Sequence, residues 1–347
     1  MKTLFAFVVS FGVTYLCLPL CRWLAFRLNI LDLPGGRKIH RIATPLLGGA
    51  AVYTGLVIAA LFNLEKLYFF APLLFGATLV FIVGLISDVK ELSARLRLGC
   101  QVLIALFIAE SGMRVSFLPV GPWKHILETL ITIIWIIGVT NAYNYLDGLD
   151  GLAAGSAVIN LFCFGVILYK TGQYPLGLLA LILMGACLGF LPYNFKKSKI
   201  FLGEAGSTLL GFTLAGVALV GNWAKDDIAR ISIPVLILGV PIFDMVFTTI
   251  MRIWEGKVKT ILEWLRYGGR DHFHHYLVDL GFRPIGAVVF IYALTFSLGL
   301  NAIMISKESA ARAIATLCQA AIVFGIIATL MVVGKRRHSG WENKIKD

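Results

Sequence analysis

ILETLITIIWIIGVTNAYNYLDGLDGLAAGSAVINLFCFGVILY, residues 126–169, holds two long apolar runs joined by a short polar stretch. Asn141, Asn144, Asp147 and Asp150 recur in that stretch every three residues, and Gly148, Gly151 and Gly155 lie among them. A run of about 20 apolar residues crosses roughly 30 Å of hydrocarbon as a helix. A helix is required because lipid offers the backbone no hydrogen-bond partners. The stretch therefore reads as two membrane helices, 125–143 and 152–169, with a polar ladder where they meet water.

The same pattern extends in both directions. Apolar runs near the required length occupy 3–21, 45–62, 68–86, 96–111, 125–143, 152–169, 175–192, 206–221, 231–251, 284–305 and 312–334. Of the 347 residues, 59% are hydrophobic and 14% charged. Soluble globular proteins carry about 25% charged residues, so lipid is the solvent for most of this chain. The expected fold is all-α, a polytopic membrane bundle of about eleven helices. No Ser/Pro-rich linker or charge block divides it, so 1–347 reads as one domain. The run at 96–111 is short, and Arg95 and Arg97 at its edge are expected to snorkel to the interface.

Sidedness follows from charge. Most of the 31 Lys and Arg fall in the tail and in the loops after the first, third, fifth, seventh and ninth runs. The positive-inside rule then places the N-terminus outside and the C-terminus in the cytoplasm. Lys2 precedes the first run, but no small-residue cleavage site follows it, so that run reads as a membrane helix. The six cysteines lie inside apolar runs without metal-ligand spacing and read as reduced core residues. The net charge of +12 fits anionic headgroups or an anionic substrate; a nucleic-acid partner is not expected.

The polar constellations all fall on the basic side. They are Lys38 and His40, Asp88, the ladder, Glu204, and Arg270 to His275. Carboxylates near hydrocarbon are costly and mark function. The ladder spans about 14 Å if helical, too far for one ion, so part should grip a metal or diphosphate and part a second substrate. Glu204 opens a helix in FLGEAGSTLLGF, where free N–H groups favour an anion and a carboxylate can be a hard ligand for Mg²⁺. Arg270, His272, His274 and His275, in GGRDHFHHYLVDLG, suit a diphosphate or a sugar; zinc is the rival there, without the usual helical zinc spacing. Asp244, inside 231–251, is expected to support the site from behind.

These motifs resemble the polyprenyl-phosphate N-acetylhexosamine-1-phosphate transferases, and most closely the bacterial undecaprenyl-phosphate N-acetylglucosamine-1-phosphate transferases. The likeness runs from about Asp32 to Gly281 and rests on N-x-x-N-x-x-D-G-x-D-G-L and H-x-H-H followed by Gly-Phe. It implies a UDP-sugar donor, a polyprenyl phosphate acceptor, Mg²⁺ (with Mn²⁺ as a substitute), and an active site on the cytoplasmic face of a bacterial inner membrane. It implies Lys38, Asp88, Asp147 and Asp150 as catalytic residues. His40, Asn141, Asn144, Arg270, His272, His274 and His275 would bind substrate, with Glu204 and Asp147 on the metal. The loop 252–283 would recognise the hexosamine, and a second copy of the chain is an admissible partner. Two positions depart from the family pattern: Ser87 and Glu204 each stand where Asp is usual. They leave open a non-catalytic relative that binds lipid phosphate or a partner. A secondary transporter is the third reading, although transporters place polar sites at the midplane.

Overall fold

The computed structural model describes residues 2–33, 43–260, 263, 264, 267, 269 and 271–346, with backbone alone at Lys2 and 335–346. Lys38, His40 and Arg270 lie outside the described residues. Among the described residues the chain is all-α apart from a two-residue antiparallel pair, Leu31–Asp32 with Thr44–Pro45. The helices are α1 (Lys2–Arg27), α2 (Gly48–Leu61), α3 (Leu64–Leu67), α4 (Ala71–Lys90), α5 (Ala94–Glu110), α6 (Lys124–Leu146) and α7 (Leu152–Lys170). They continue with α8 (Tyr174–Asn194), α9 (Gly203–Val220), α10 (Asp227–Ile237), α11 (Gly239–Trp254), α12 (Phe273–Asp279), α13 (Pro284–Ile305) and α14 (Ala310–Lys346).

Every expected apolar run contains helix, but fewer than eleven qualify as membrane spans. Among the described residues, eight helices are long and apolar enough to cross, and a ninth if α10 and α11 count as one broken span. Helix α2 has 14 residues and α5 has 17, with Arg95 and Arg97 in its first turn. The expected span 231–251 is not continuous: α10 and α11 meet at 77°. Pro234 and Pro241 flank the break and remove backbone donors there, which accounts for the bend.

Helix α9 is the centre of the bundle. In its apolar stretch 83% of residues are buried, against 11% in α14 at the periphery. It packs against α4 and α6, and α8 packs against α1 and α7. Small residues allow this close approach. A Cβ on Gly49 would collide with the backbone of Gly206, and one on Gly84 with the backbone of Ala205. The first turn of α9 is thereby pressed between α2 and the end of α4, which places Glu204 beside Ser87 and Asp88.

Candidate active site

The α9 N-terminus has orphan backbone donors, as any helix start does. Asp88, near the end of α4, satisfies two of them. Its Oδ1 accepts from the Glu204 N–H at 2.8 Å and its Oδ2 from the Ala205 N–H at 3.0 Å. Gly203 precedes them at φ +74°, and a side chain there would meet the Asp88 carboxylate and the Leu46 carbonyl. A glycine is needed because the turn is left-handed and crowded.

The Glu204 carboxylate points back to α4 and α5. Ser87 Oγ donates to its Oε2 at 2.8 Å, and Arg97 forms an ion pair with its Oε1. The two departures from the family pattern, Ser87 and Glu204, are therefore in direct contact. Arg97 does not simply snorkel, because its guanidinium is held by a carboxylate.

The ladder divides into four separate tasks. Helix α6 ends at Leu146, so only the two asparagines are helical. Asn141 Nδ2 donates to Gln101 Oε1 on α5 at 2.7 Å and to the Ile137 carbonyl at 2.8 Å. Asn144 Nδ2 donates to Ser207 Oγ on α9 at 2.9 Å. Asp150 Oδ2 accepts from the backbone N–H of Lys197 (3.1 Å) and Ser198 (3.0 Å). Among the described residues the Asp147 side chain has no hydrogen-bond or ion-pair partner. Burial, then the charges of Asp88 and Asp150, push its carboxyl up to about 7. The loop carrying it is fixed by α8 and α13: Asn194 Oδ1 accepts from Gly151 N–H, and Tyr292 Oη donates to the Gly151 carbonyl.

The histidine motif closes the site from the other side. His274 is 1% exposed, and among the described residues neither ring nitrogen has a hydrogen-bond partner. Such orphaned buried groups are rare and call for an explanation. Its ring lies against Gly148, filling the space a Cβ would take. Burial, then the adjacent His275, lower its pKa to about 3, so the imidazole is neutral. His275 packs 4.2 Å from it, ring centre to ring centre. His272 stacks on Tyr145 of α6 at 4.8 Å. Gly148→Ala is expected to displace His274 and cost about 1–3 kcal/mol, read as a lower midpoint in thermal unfolding together with reduced activity.

Behind the histidines lies a buried charge network that sequence reasoning found only in part. Asp244 accepts from the Phe273 N–H at 2.6 Å and lies 3.1 Å from His272 Nδ1. Arg252, 1% exposed, makes a two-pronged pair with Asp271 at 2.9 and 2.7 Å and approaches His272 Nε2 at 3.3 Å. Burial alone would raise the Asp271 carboxyl, but the guanidinium more than offsets this and holds it below the ordinary range. Asp244, expected behind the site, contacts His272 and the Phe273 N–H, and Arg252, which that reading missed, grips Asp271 beside them. A signal was present: Asp244, Thr248 and Arg252 recur every four residues in an apolar helix, marking one polar face.

Contacts link the ladder, the α9 N-terminus and the histidine motif at one end of the bundle. Asp88 touches Glu204, Asn144 touches Ser207, and Gly148 touches His274. Within this arrangement Glu204 and Asp147 offer hard oxygens. Among the described residues no three acidic, histidine or cysteine side chains form a ready cage. A protein commonly gives Mg²⁺ one or two carboxylates, the rest of the shell being water and substrate phosphates.

Residues 70–222 match the family model described as Glycosyl transferase family 4. A probable undecaprenyl-phosphate N-acetylglucosaminyl 1-phosphate transferase of Bacillus subtilis is 31% identical over 310 residues, covering 88% of this chain and 85% of that protein. An undecaprenyl-phosphate alpha-N-acetylglucosaminyl 1-phosphate transferase of Pasteurella multocida is 32% identical, covering 80% and 79%. A decaprenyl-phosphate N-acetylglucosaminephosphotransferase of Mycobacterium tuberculosis is 30% identical, covering 81% and 76%.

Proposed function

The chain belongs to glycosyl transferase family 4, a family of glycosyl phosphotransferases, and from that premise we propose that it moves an N-acetylhexosamine-1-phosphate from a UDP-sugar to undecaprenyl or another polyprenyl phosphate. A phosphate oxygen of the lipid attacks the β-phosphorus of the donor. The bond from that phosphorus to the bridging oxygen breaks, UMP leaves with the bond's electron pair, and a lipid-linked diphospho-sugar remains. Such a step depends mainly on positioning and charge stabilisation.

Glu204 and Asp147 would hold Mg²⁺, which would neutralise charge on the diphosphate. Asp88 positions the α9 N-terminus, since both of its oxygens are committed to backbone donors. A strong base is not required, because a phosphate monoester is already largely ionised at neutral pH. His274 would offer a neutral ring nitrogen to a phosphate or sugar oxygen once substrate binding uncovers the enclosed ring. Lys38, His40 and Arg270 remain candidates for the substrate phosphates on sequence grounds. The Lys and Arg bias supports putting this end at the cytoplasmic face of the bacterial inner membrane.

The observation that carries this reading is that Gly148 packs on His274 and stands next to Asp147 in the chain, while among the described residues neither the Asp147 carboxylate nor the His274 imidazole has a hydrogen-bond partner. The test is transfer of labelled sugar-phosphate by purified protein from a panel of UDP-sugars to undecaprenyl phosphate, with Mg²⁺ or with chelator. Transfer that ignores the metal, or no transfer with any UDP-sugar, sinks the proposal. The raised Asp147 pKa adds a pH dependence. The acid binds a proton below about pH 7, and that proton competes with a cation. Mn²⁺ affinity, measured by spin resonance, is expected to fall about tenfold per unit below pH 7 and to level off above it.

A further inference from the structure

Arg97 has no part in the scheme above, yet it holds a proposed metal ligand. It is the fourth residue of α5, whose first turn is capped by Ser93. A cation at the positive end of a helix dipole is unfavourable, so something must hold it there. That partner is Glu204, itself at the start of α9. Of the two Glu204 oxygens, one accepts from Ser87 and the other pairs with Arg97. Each oxygen thus carries a donor, and the guanidinium charge opposes a divalent ion at the same carboxylate until Arg97 moves. The recess beside the pair is lined by Val80, Val83, Gly84, Gln101, Ile104 and Thr208, which offer the guanidinium no second anion. The nearby Asp88 carboxylate, hydrogen-bonded to the α9 backbone, also attracts the guanidinium, so Glu204 is its ion-pair partner but not its only anionic neighbour. The Arg97 side chain is 30% exposed, so it is not locked in by packing. A guanidinium fork fits phosphate as well as it fits carboxylate.

We propose that Arg97 is a tethered cation that occupies Glu204 until a nucleotide diphosphate draws it away, so that metal and donor bind together. The inference rests on the transferase reading for the identity of the donor. An ion arriving alone must displace a charge from its own ligand. An ion arriving with a diphosphate meets a Glu204 freed by the phosphate's claim on Arg97. Linkage then requires each ligand to raise the other's affinity equally.

The experiment uses the full chain in detergent and compares wild type with Arg97→Gln and Arg97→Lys. Mn²⁺ alone is titrated by spin resonance, and UDP alone is titrated by calorimetry in chelator. Arg97→Gln is expected to bind Mn²⁺ about tenfold more tightly and UDP about tenfold more weakly, the size of one lost charge-assisted hydrogen bond. A merely structural role would weaken both or move neither. Arg97→Lys keeps the charge and loses the fork, so Mn²⁺ should bind it about threefold more tightly. This variant decides the matter if the Gln protein does not unfold cooperatively. Unchanged or weakened Mn²⁺ binding in the variants overturns the inference. The transfer assay on the same samples separates the two claims. The affinity pattern without wild-type transfer would leave Arg97's role standing and remove the transferase reading. Transfer without the pattern would do the reverse.

Discussion

Asp147→Asn is expected to lower sugar-phosphate transfer by roughly 10²–10⁴-fold, the range for removing a positioned catalytic group, with thermal unfolding near that of wild type. The substitution keeps shape and removes only the ability to carry charge. Among the described residues no hydrogen bond or ion pair depends on that charge. Its oxygens accept no hydrogen bond from the described residues, and the loop is held through Gly151 by Asn194 and Tyr292. Burial and two neighbouring carboxylates disfavour ionisation there, so loss of the charge does not weaken the free protein. Asp150→Asn is the internal contrast. Its oxygen accepts from two backbone donors, which an amide oxygen can also do, so transfer should change far less. Initial rates and melting curves on the two purified variants check the prediction, and equal losses of activity would contradict it.

Arg252→Ala is expected to destabilise the protein by about 3–5 kcal/mol, the usual cost of stranding one member of a buried ion pair, and to abolish transfer as well. Arg252 lies more than 10 Å along α11 from Asp244, by the rise of about 1.5 Å per residue, yet both ends of that polar face grip the same short segment. Arg252 takes Asp271, while Asp244 takes His272 and the Phe273 N–H. Removing the guanidinium leaves the Asp271 carboxylate buried without a counter-charge. The start of α12 should then withdraw toward water, taking His274 away from Gly148. Arg252→Lys tests geometry against charge, because an ammonium cannot make the two-pronged contact. Intermediate stability with poor transfer is the expected result. Chemical denaturation gives the stability difference, and wild-type stability in Arg252→Ala would refute the account.

Much of this was legible in the chain itself. Runs of apolar residues near bilayer length mark helices, since the backbone in lipid has no other way to pair its polar groups. The sites were legible as clusters because charged and amide groups beside hydrocarbon are too costly to be incidental. Helix starts such as Gly203 to Ser207 showed through glycine and acidic signals. The number of spans was less legible. Length and composition cannot show that the run 231–251 turns through 77° at Leu238, because each half is apolar enough to belong to one helix.

The residues' roles separated only in three dimensions. Four ladder side chains at equal spacing look equivalent in one dimension. In the fold, Asn141 meets Gln101, Asn144 meets Ser207, Asp150 meets a backbone turn, and Asp147 has no hydrogen-bond or ion-pair partner among the described residues. Ser87 and Glu204 look like two unrelated departures until α4 and α9 bring them within 2.8 Å. By itself, then, the order of residues determined an all-α membrane protein with clustered chemistry, because solvation acts on each segment where it stands. Which carboxylate is free, which is held by a cation, and which imidazole is stripped of partners was decided by tertiary structure, because hydrogen bonds and ion pairs depend on distances between segments far apart in the chain.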